Sequence, residues 1–275
     1  MIPMSDSEFL LFQECASKIL NVKVGKNMRQ VLTGQLQPLL AKYNYSNFKE
    51  LCDNLKKNAH QENINEILNI LTPDHTFFFR EKDHFDFFHY KFLPQLYQNM
   101  RKGNLSDLRV WCSACSTGEE SYTLAMLIAD FFKDKPSYEN GILATDISLK
   151  SLKKAIVGQY EMAKTSRIPP HFKSQFMTPN ESLSHLIMNK NIKSMITFRK
   201  FNLMSANYPF KHPFDAIFCR NVLIYFDGPT IDKVIAEFFR FTKVGGYLFI
   251  GASESLQGRN CSFIYRAPGI YQRVK

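Results

Sequence analysis

The N-terminal quarter of the chain carries apolar residues at helical spacing. Ser5 and Glu8 form a capping-box pattern, and the apolar residues after them recur three and four positions apart. A first helix is therefore predicted to begin at Ser5. Further helical patterns, ended by Pro73, cover residues 26–42, 47–58 and 62–71. Together they predict an all-helical domain over residues 1–71.

An aromatic segment follows this domain. Residues 72–80 are predicted to form a linker, and residues 80–100 an aromatic-rich helix. Thr76 and Arg80 stand on either side of three phenylalanines in this linker. If a ligand pocket lies below the linker, these two residues are placed to close it.

From residue 108 onward the pattern alternates between strands and helices. Apolar runs bounded by turn residues predict strands at 108–112, 141–145, 195–199, 215–219 and 246–251. Helices are predicted at 119–132 and 230–242, the second closed by Gly245 and Gly246. The alternation predicts an α/β domain over residues 81–275 with a mostly parallel sheet.

Two segments depart from this alternation. Residues 262–265 and 269–274 are predicted to form an antiparallel hairpin at the sheet edge. Residues 160–197 have weak periodicity and are too long for a plain connection. They are predicted to form an inserted helix and a small subdomain.

The composition fits a folded protein without a metal site. The chain has 275 residues, 45% of them hydrophobic, enough for a packed core. It shows no run of eighteen apolar residues and no signal-peptide pattern, so a cytoplasmic location is expected. The single C-x-x-C, Cys112 to Cys115, has no second pair or spaced histidines. Reduced thiols are favoured over a redox or metal-binding role.

The net charge of +10 is concentrated in one region. Residues 147–200 contain two acidic residues, Glu161 and Glu181. The same segment contains ten basic residues: Lys150, Lys153, Lys154, Lys164, Arg167, Lys173, Lys190, Lys193, Arg199 and Lys200. This excess indicates an acidic partner, either nucleic acid or a protein surface, with a merely solvated face as the alternative.

The most informative segment, residues 110–120, has the pattern of a buried strand, a small-residue turn and the acidic first turn of a helix. A dinucleotide loop has three glycines that let the backbone approach a pyrophosphate, whereas this loop has only Gly118. Glu119 and Glu120 stand where a phosphate would have to lie, and their charge disfavours NAD or ATP. S-adenosylmethionine, which carries a sulfonium, an amino group and a ribose but no phosphate, fits better and indicates a methyltransferase.

The ends of the next two strands offer cofactor contacts, because ligands of open parallel sheets bind at the carboxyl ends of the strands. Asp146 is placed to accept both ribose hydroxyls, with a helix N-cap as the alternative. Asn202 and Leu203 are placed to bind the adenine edge and ring, with a turn-forming asparagine as the alternative.

The fourth strand runs into Arg220, Asn221 and Tyr225. An arginine fork and a tyrosine hydroxyl suit capture of a planar carboxylate, although Arg220 paired to a surface acid and Tyr225 packed as core are the alternatives. Arg80 is expected to neutralise the carboxylate of the methionine moiety. Arg220, Tyr225 and Arg80 are therefore the catalytic candidates.

Six motifs in this order resemble those of the CheR-type chemotaxis receptor methyltransferases: T-F-F-F-R-E, V-W-C-S-A-C-S-T-G-E-E, A-T-D-I-S, F-N-L, F-D-A-I-F-C-R-N-V-L-I-Y-F-D and G-G-Y-L-F-I-G-A-S-E-S-L. The resemblance spans nearly the whole chain. It implies a Rossmann-like class I methyltransferase sheet with an N-terminal helical domain and a small inserted β-subdomain. It also implies a monomer that transfers methyl groups from S-adenosylmethionine to glutamate side chains on the cytoplasmic helices of chemoreceptors, leaving S-adenosylhomocysteine.

The resemblance further implies roles for individual residues. Tyr225 would help to place the substrate carboxylate. The implied cofactor contacts are Thr76, Arg80, Glu120, Asp146, Asn202, Leu203, Arg220 and Asn221.

The chain departs from the family pattern at several positions. Asp74 stands where the family often has Asn, and Ala252 where it commonly has His. The second N-terminal helix has Arg29 where the family has several arginines. Residues 176–198 lack the G-x-G turn of members that tether to a receptor's C-terminal pentapeptide, so no such tether is expected.

Two alternatives to receptor methylation stay open. One is a methyltransferase of the same fold that acts on another acidic partner such as RNA, although the fourth strand lacks an N-P-P-[YF] tetrapeptide for a flipped base, so no nucleic acid is expected. The other is a non-catalytic module that binds the cofactor in signalling.

Overall fold

The computed structural model describes residues 2–20, 22–57, 61–71, 76–103, 107–136, 139–180 and 184–275. The chain divides into two compact units. The first contains Met1–Asp74 and Ile224–Lys233, and the second contains His75–Leu223 and Val234–Lys275. Residues 72–75 of the predicted linker, including Asp74, lie outside the described residues.

The N-terminal part of the first unit is helical. Its α-helices are α1 (Asp6–Cys15), α2 (Arg29–Lys42), α3 (Phe48–Lys56) and α4 (Gln61–Leu71). The predicted capping box is confirmed, because the Ser5 hydroxyl accepts from the Glu8 amide and the Glu8 carboxylate accepts from the Ser5 amide. A π-helical segment, Ala16–Leu20, continues α1.

The second unit holds the strands. In chain order they are β1 (Asp107–Cys112), β2 (Glu139–Asp146), β3 (Gln159–Glu161), β4 (Met177–Asn180), β5 (His185–Met188), β6 (Ile196–Lys200), β7 (Phe214–Cys219), β8 (Thr242–Ile250), β9 (Ile264–Ala267) and β10 (Ile270–Gln272). The remaining helices are α5 (Lys82–Phe87), α6 (Leu93–Arg101), α7 (Glu119–Phe132), α8 (Leu149–Val157), α9 (Pro170–Phe176), α10 (Lys190–Ser194) and α11 (Gly228–Phe241).

The main sheet has seven strands in the order β6-β2-β1-β7-β8-β10-β9. The five strands from β6 to β8 run parallel, and β10 is antiparallel to both of its neighbours. A separate antiparallel sheet, β3-β5-β4, forms within the inserted segment. These features confirm the predicted Rossmann-like α/β fold. Parallel order brings the carboxyl ends of β1, β2, β6, β7 and β8 to one edge of the sheet, which we call the carboxyl edge.

Two helix boundaries differ from the prediction. The aromatic helix begins at Lys82 rather than at residue 80, because Glu81 has a left-handed backbone (φ 58°), and a π-helical turn, Phe88–Phe92, separates α5 from α6. The helix expected at 230–242 ends at Phe241, and β8 begins at once, so the paired glycines lie within a strand. Arg273 caps this helix instead by donating to the carbonyls of Phe239 and Thr242.

An aromatic core supports the carboxyl edge. Phe85 and Phe88 of the helix that follows the linker pack on Phe218 of β7, and Phe88 also packs on Phe249 of β8. All four rings are almost fully buried. The residues that follow β7 and β8 are therefore held on a rigid base.

Candidate functional site

The turn after β1 is fixed by hydrogen bonds to the neighbouring strands. The Ser113 amide donates to the carbonyl of Phe218, and the Cys115 amide donates to that of Thr145, at 2.8 and 2.9 Å. Gly118 has φ 99°, and a Cβ atom there would lie 2.9 Å from the Tyr160 hydroxyl and 2.9 Å from the Ala155 Cβ. This glycine therefore lets the turn pack closely against the protein itself.

The two glutamates after this turn have different environments. Glu119 is buried and accepts a hydrogen bond from the Thr117 hydroxyl at 2.7 Å. The Oε2 atom of Glu120 lies 2.6 Å from the Arg220 guanidinium, and its Oε1 accepts from the Cys112 thiol at 3.2 Å. The expectation that both carboxylates occupy the position of a phosphate is therefore wrong for Glu119, which turns into the protein.

Asp146, at the end of β2, organises the loops on both sides of it. One carboxylate oxygen accepts from the Ser116 amide and the other from the Ser148 amide, each at 2.8 Å. Ser148, not Asp146, is the N-cap of α8. The Asp146 carboxylate is therefore held at the carboxyl edge by two backbone amides.

Arg220, directly after β7, is the centre of a buried charge network. Its side chain is only 1% exposed, and it pairs with both Glu120 and Glu81, the second at 3.1 Å. It also donates to the carbonyl of Arg80 and stacks 4.9 Å from the Phe85 ring centre. The expected capture of a substrate carboxylate by this donor fork finds no support here, because both amino groups already pair with protein carboxylates.

Glu81 connects three segments of this network. One of its oxygens accepts from the Arg220 guanidinium and from the Ala252 amide, and the other accepts from the Asn221 side-chain amide at 3.0 Å. Burial alone would raise the pKa of the Glu81 carboxyl, but the hydrogen bond from Asn221 and the charge of Arg220 outweigh burial and lower this pKa below its usual value. Glu81 is therefore ionised at neutral pH.

Glu254 supports the same network from the loop after β8. It is buried, and its Oε2 atom accepts from the Asn221 amide at 3.0 Å and from the Gly251 amide at 2.6 Å. A Cβ atom at residue 251 would lie 2.5 Å from the Asn221 side chain, so this close approach requires glycine. The sequence analysis named neither Glu81 nor Glu254 as a site residue, although both lie within the motifs that carried the resemblance.

The remaining candidates lie around these groups. Arg80 is half-buried, with its guanidinium 5.7 Å from the Phe77 ring centre. Thr76 is also half-buried. The side-chain oxygen of Asn202 accepts from the Met204 amide at 2.9 Å, which is the turn geometry named as its alternative, while Leu203 is buried.

Tyr225 belongs to the first unit, whereas the other candidates belong to the second. It is half-buried, and its carbonyl accepts from the Lys23 amide at 2.8 Å. Its role stays a prediction.

The thiols near the carboxyl edge are protonated. Burial, followed by the charge of Glu120, raises the pKa of Cys112 well above its usual value, and burial and Asp146 do the same for Cys115. All six cysteines are free. Among the described residues, no cluster of three or more His, Cys, Asp or Glu side chains is arranged to hold a metal ion.

The hydrogen-bonding side chains at the carboxyl edge suit S-adenosylmethionine. The polar side chains at the carboxyl edge are mainly carboxylates and amides, which accept hydrogen bonds from hydroxyl and ammonium groups. The one glycine of the first turn serves internal packing and makes no cradle for a phosphate. The residues present therefore fit a cationic, hydroxyl-bearing cofactor.

Comparison with known proteins agrees with this geometry. Residues 74–267 match the family described as "CheR methyltransferase, SAM binding domain". The chain belongs to the CheR methyltransferase family. It accordingly uses S-adenosylmethionine as its cofactor.

Several curated relatives are similar over most of their length. The "Chemotaxis protein methyltransferase" of Borreliella burgdorferi is 33% identical over 92% of this chain and 89% of its own. The "Probable chemotaxis protein methyltransferase" of Rhizobium etli is 37% identical over 78% of this chain and 79% of its own. The Escherichia coli "Chemotaxis protein methyltransferase" is 30% identical over 100% of this chain and 93% of its own.

One further finding bears on membranes. Within the described residues, no helix is both long enough and apolar enough to span a bilayer.

Proposed function

We propose that the protein transfers the methyl group of S-adenosylmethionine to glutamate side chains on the cytoplasmic helices of chemotaxis receptors. The observation that carries this proposal is the network in which Arg220 is neutralised by Glu81 and Glu120, at the same edge of the sheet as Asp146. Membership of the CheR family and the names of the relatives support the choice of substrate.

The proposed cofactor contacts fall into four groups. Asp146 would bind the ribose, and Asn202 with Leu203 the adenine. Glu120 and Asn221 would bind polar groups of the methionine moiety, and Thr76 and Arg80 would close the pocket. Arg220 would act as a positioning residue, because its side chain is buried and holds Glu120 and Glu81 in place.

The proposed reaction requires alignment of the reacting groups but no proton transfer. When bound, the cofactor supplies a methyl group on a positively charged sulfur; a carboxylate oxygen forms the new C–O bond as the C–S bond breaks, and the sulfur keeps the electron pair. A glutamate is already ionised at neutral pH, so no base has to remove a proton. The residues of the chain would therefore act by orienting the carboxylate and excluding water.

Tyr225 is the proposed substrate-orienting residue. Tyr225→Phe should lower turnover by about tenfold and change the cofactor Kd less than twofold, because only orientation is lost. Equal losses in turnover and cofactor affinity would contradict this role.

The substrate is tested by transfer from methyl-labelled S-adenosylmethionine to cell membranes and, in parallel, to total RNA. Label on a membrane protein that mild alkali releases as methanol would support a glutamyl ester. Alkali-stable label on RNA would overturn the receptor proposal. Cofactor binding without any transfer would instead favour a non-catalytic module.

A further inference from the structure

The outer face of α8 combines positive charge with exposed apolar side chains. Lys150, Lys153 and Lys154 are all exposed. Leu149, Ile156 and Val157 are 47%, 56% and 55% exposed, so three of the large hydrophobic side chains that the described part of the protein leaves exposed lie on this one helix. The opposite face of α8, with Leu152 and Ala155, is buried. Exposed apolar groups concentrated on one short helix mark an interaction surface.

The lysines of α8 have no acidic partners in the described protein. No Asp or Glu oxygen of a described residue lies within 4.0 Å of a charged nitrogen of any of the ten cations at 147–200. By contrast, Lys18, Lys42 and Lys82 in other parts of the chain each pair with a carboxylate. The charge of this surface is therefore available to an external partner.

The surface continues from α8 onto its neighbours. The Lys193 ammonium of α10 donates to the carbonyl of Val157 at 2.5 Å, which joins the end of α8 to α10. Arg199 and Lys200 are exposed on β6, the edge strand of the main sheet. Because α8 begins three residues after Asp146, its lysine face starts near the carboxyl edge, where the methyl group is transferred.

We propose that the exposed face of α8, with Leu149, Lys150, Lys153, Lys154 and Ile156, docks the acidic helix that carries the methylated glutamates. This inference rests on the proposed function, since a glutamate-bearing substrate is necessarily anionic around its reactive positions. Apolar residues at positions 149 and 156, with Lys153 between them, follow the i, i+4, i+7 spacing of helix-on-helix packing.

The chemistry of the helix favours a protein partner over nucleic acid. Nucleic-acid surfaces combine Lys or Arg contacts to phosphates with aromatic rings that stack on bases, and α8 has the lysines but no aromatic ring. It offers lysines as point charges beside aliphatic side chains instead, which suits a second amphipathic helix.

The test compares two triple variants of the full chain. The variant K150E/K153E/K154E removes the positive face, and K91E/K102E/K211E makes the same charge change at exposed lysines outside this surface. The first variant should fold, because all three positions are exposed and glutamate in the first turn of α8, at 150, offsets glutamate in the last turn, at 154. Unchanged cofactor Kd and thermal midpoint verify folding, and K150Q/K153Q/K154Q serves as the milder form.

Initial rates are measured with the soluble cytoplasmic fragment of a chemoreceptor from the same cell. The α8 variant should raise the KM for the fragment by about tenfold or more, change kcat less than twofold and flatten the salt dependence of KM. The control variant should change KM much less. A KM that rises equally in both variants, or in neither, would overturn the docking proposal.

The same samples separate the two proposals. Failure of the unaltered protein to methylate the fragment would refute the proposed function, and docking would then be judged by direct titration with the fragment. Tighter binding to RNA or to anionic vesicles than to the fragment, lost in the α8 variant, would assign the surface to that partner and overturn the inference.

Discussion

The carboxyl edge and the outer face of α8 carry positive charge in opposite ways. At the carboxyl edge, Arg220 is 1% exposed and sits between two carboxylates. On α8, Lys150, Lys153 and Lys154 are exposed and have no described carboxylate nearby. A buried, paired charge is costly to remove but acts only on its contacts, whereas an exposed, unpaired charge stabilises little and acts over a distance.

Under the proposed function, this difference corresponds to the two tasks of the protein. Alignment of the reacting atoms needs the rigidity of the buried network, while recognition of a large acidic partner needs charges that solvent leaves available. Variants of the first kind should therefore change stability and cofactor binding. Variants of the second kind should change only the response to the macromolecular substrate.

The largest effect is expected from Arg220→Met. It leaves the half-buried carboxylates of Glu81 and Glu120 without their buried arginine, which should lower the free energy of unfolding by about 3–5 kcal/mol and transfer by about a hundredfold or more. Urea unfolding and labelled transfer measure both. Arg240→Met is the matched control: its side chain is 62% exposed, so loss of its pair with Glu237 should cost about 0–1 kcal/mol. Equal destabilisation by the two variants would refute the expectation that the buried charge of Arg220 stabilises the protein more than the exposed charge of Arg240.

A smaller effect is expected from Glu81→Gln, which keeps the shape but removes the charge beside Arg220. The free energy of unfolding should fall by about 1–2 kcal/mol, as for a lost charged hydrogen bond. The cofactor should bind about tenfold more weakly, because Asn221 and Arg220 lose their common anchor. Asp86→Asn, in the helix that begins directly after Glu81 and in an exposed pair with Lys82, is the control.

A role of Glu81 in positioning the site requires a measurement of cofactor binding in addition to stability. The cofactor Kd is measured at a temperature where both variants are fully folded, and Glu81→Asp should recover part of the affinity. Loss of stability with an unchanged cofactor Kd would show that Glu81 is structural and does not position the site.

A third effect concerns pH and His84, which is buried beside the network. Its Nε2 lies 3.0 Å from the Pro268 carbonyl oxygen. Burial, followed by the charge of Arg220, lowers the pKa of His84 below its ordinary value of 6.5, although Glu81, Asp83 and the Pro268 carbonyl act in the opposite direction. The unfolded state therefore takes up the proton first, so stability present above pH 6.5 is lost as the pH falls below it.

This loss should proceed at up to about 1.4 kcal/mol for each pH unit and end where the pH reaches the lowered pKa of the folded state. Urea unfolding at pH 7.5, 6.5 and 5.5 measures it, and His84→Gln should flatten the profile while keeping a donor for Pro268. His212→Gln, at an exposed position, should leave the profile unchanged. Identical profiles for the two variants would remove His84 as the cause.

The sequence was informative where local pattern decides structure. Alternation of apolar and polar residues predicted the starts of β1 and β7 to within one residue. Parallel order then required Glu120, Asp146 and Arg220 to meet at one edge, whatever their functional roles. Their exact partners were not predictable, because Arg220 meets Glu120 and Glu81 across 100 and 139 positions of the chain.

The errors came from tertiary contacts that override local preference. Glu81 was expected inside a helix, but its contacts with Arg220, Asn221 and Ala252 hold it in a left-handed conformation before the helix starts. Gly245 and Gly246 were expected to close the helix predicted at 230–242, whereas they lie within β8 and Arg273 caps that helix. In both cases the deciding partner lies far away in sequence.

The smallest effect should come from Lys153→Met, a single change on the exposed face. Stability should change by less than about 0.5 kcal/mol, because the side chain is exposed and lacks a described carboxylate partner. The KM for the receptor fragment should rise about two- to threefold at low salt, and the difference should vanish at high salt, where screening removes an exposed charge's reach. Lys91→Met supplies the matched control. A salt-independent rise in KM would mean that Lys153 makes a desolvated contact with the partner. The Lys153 charge would then act through direct contact, as Arg220 does in the buried network, and not over a distance.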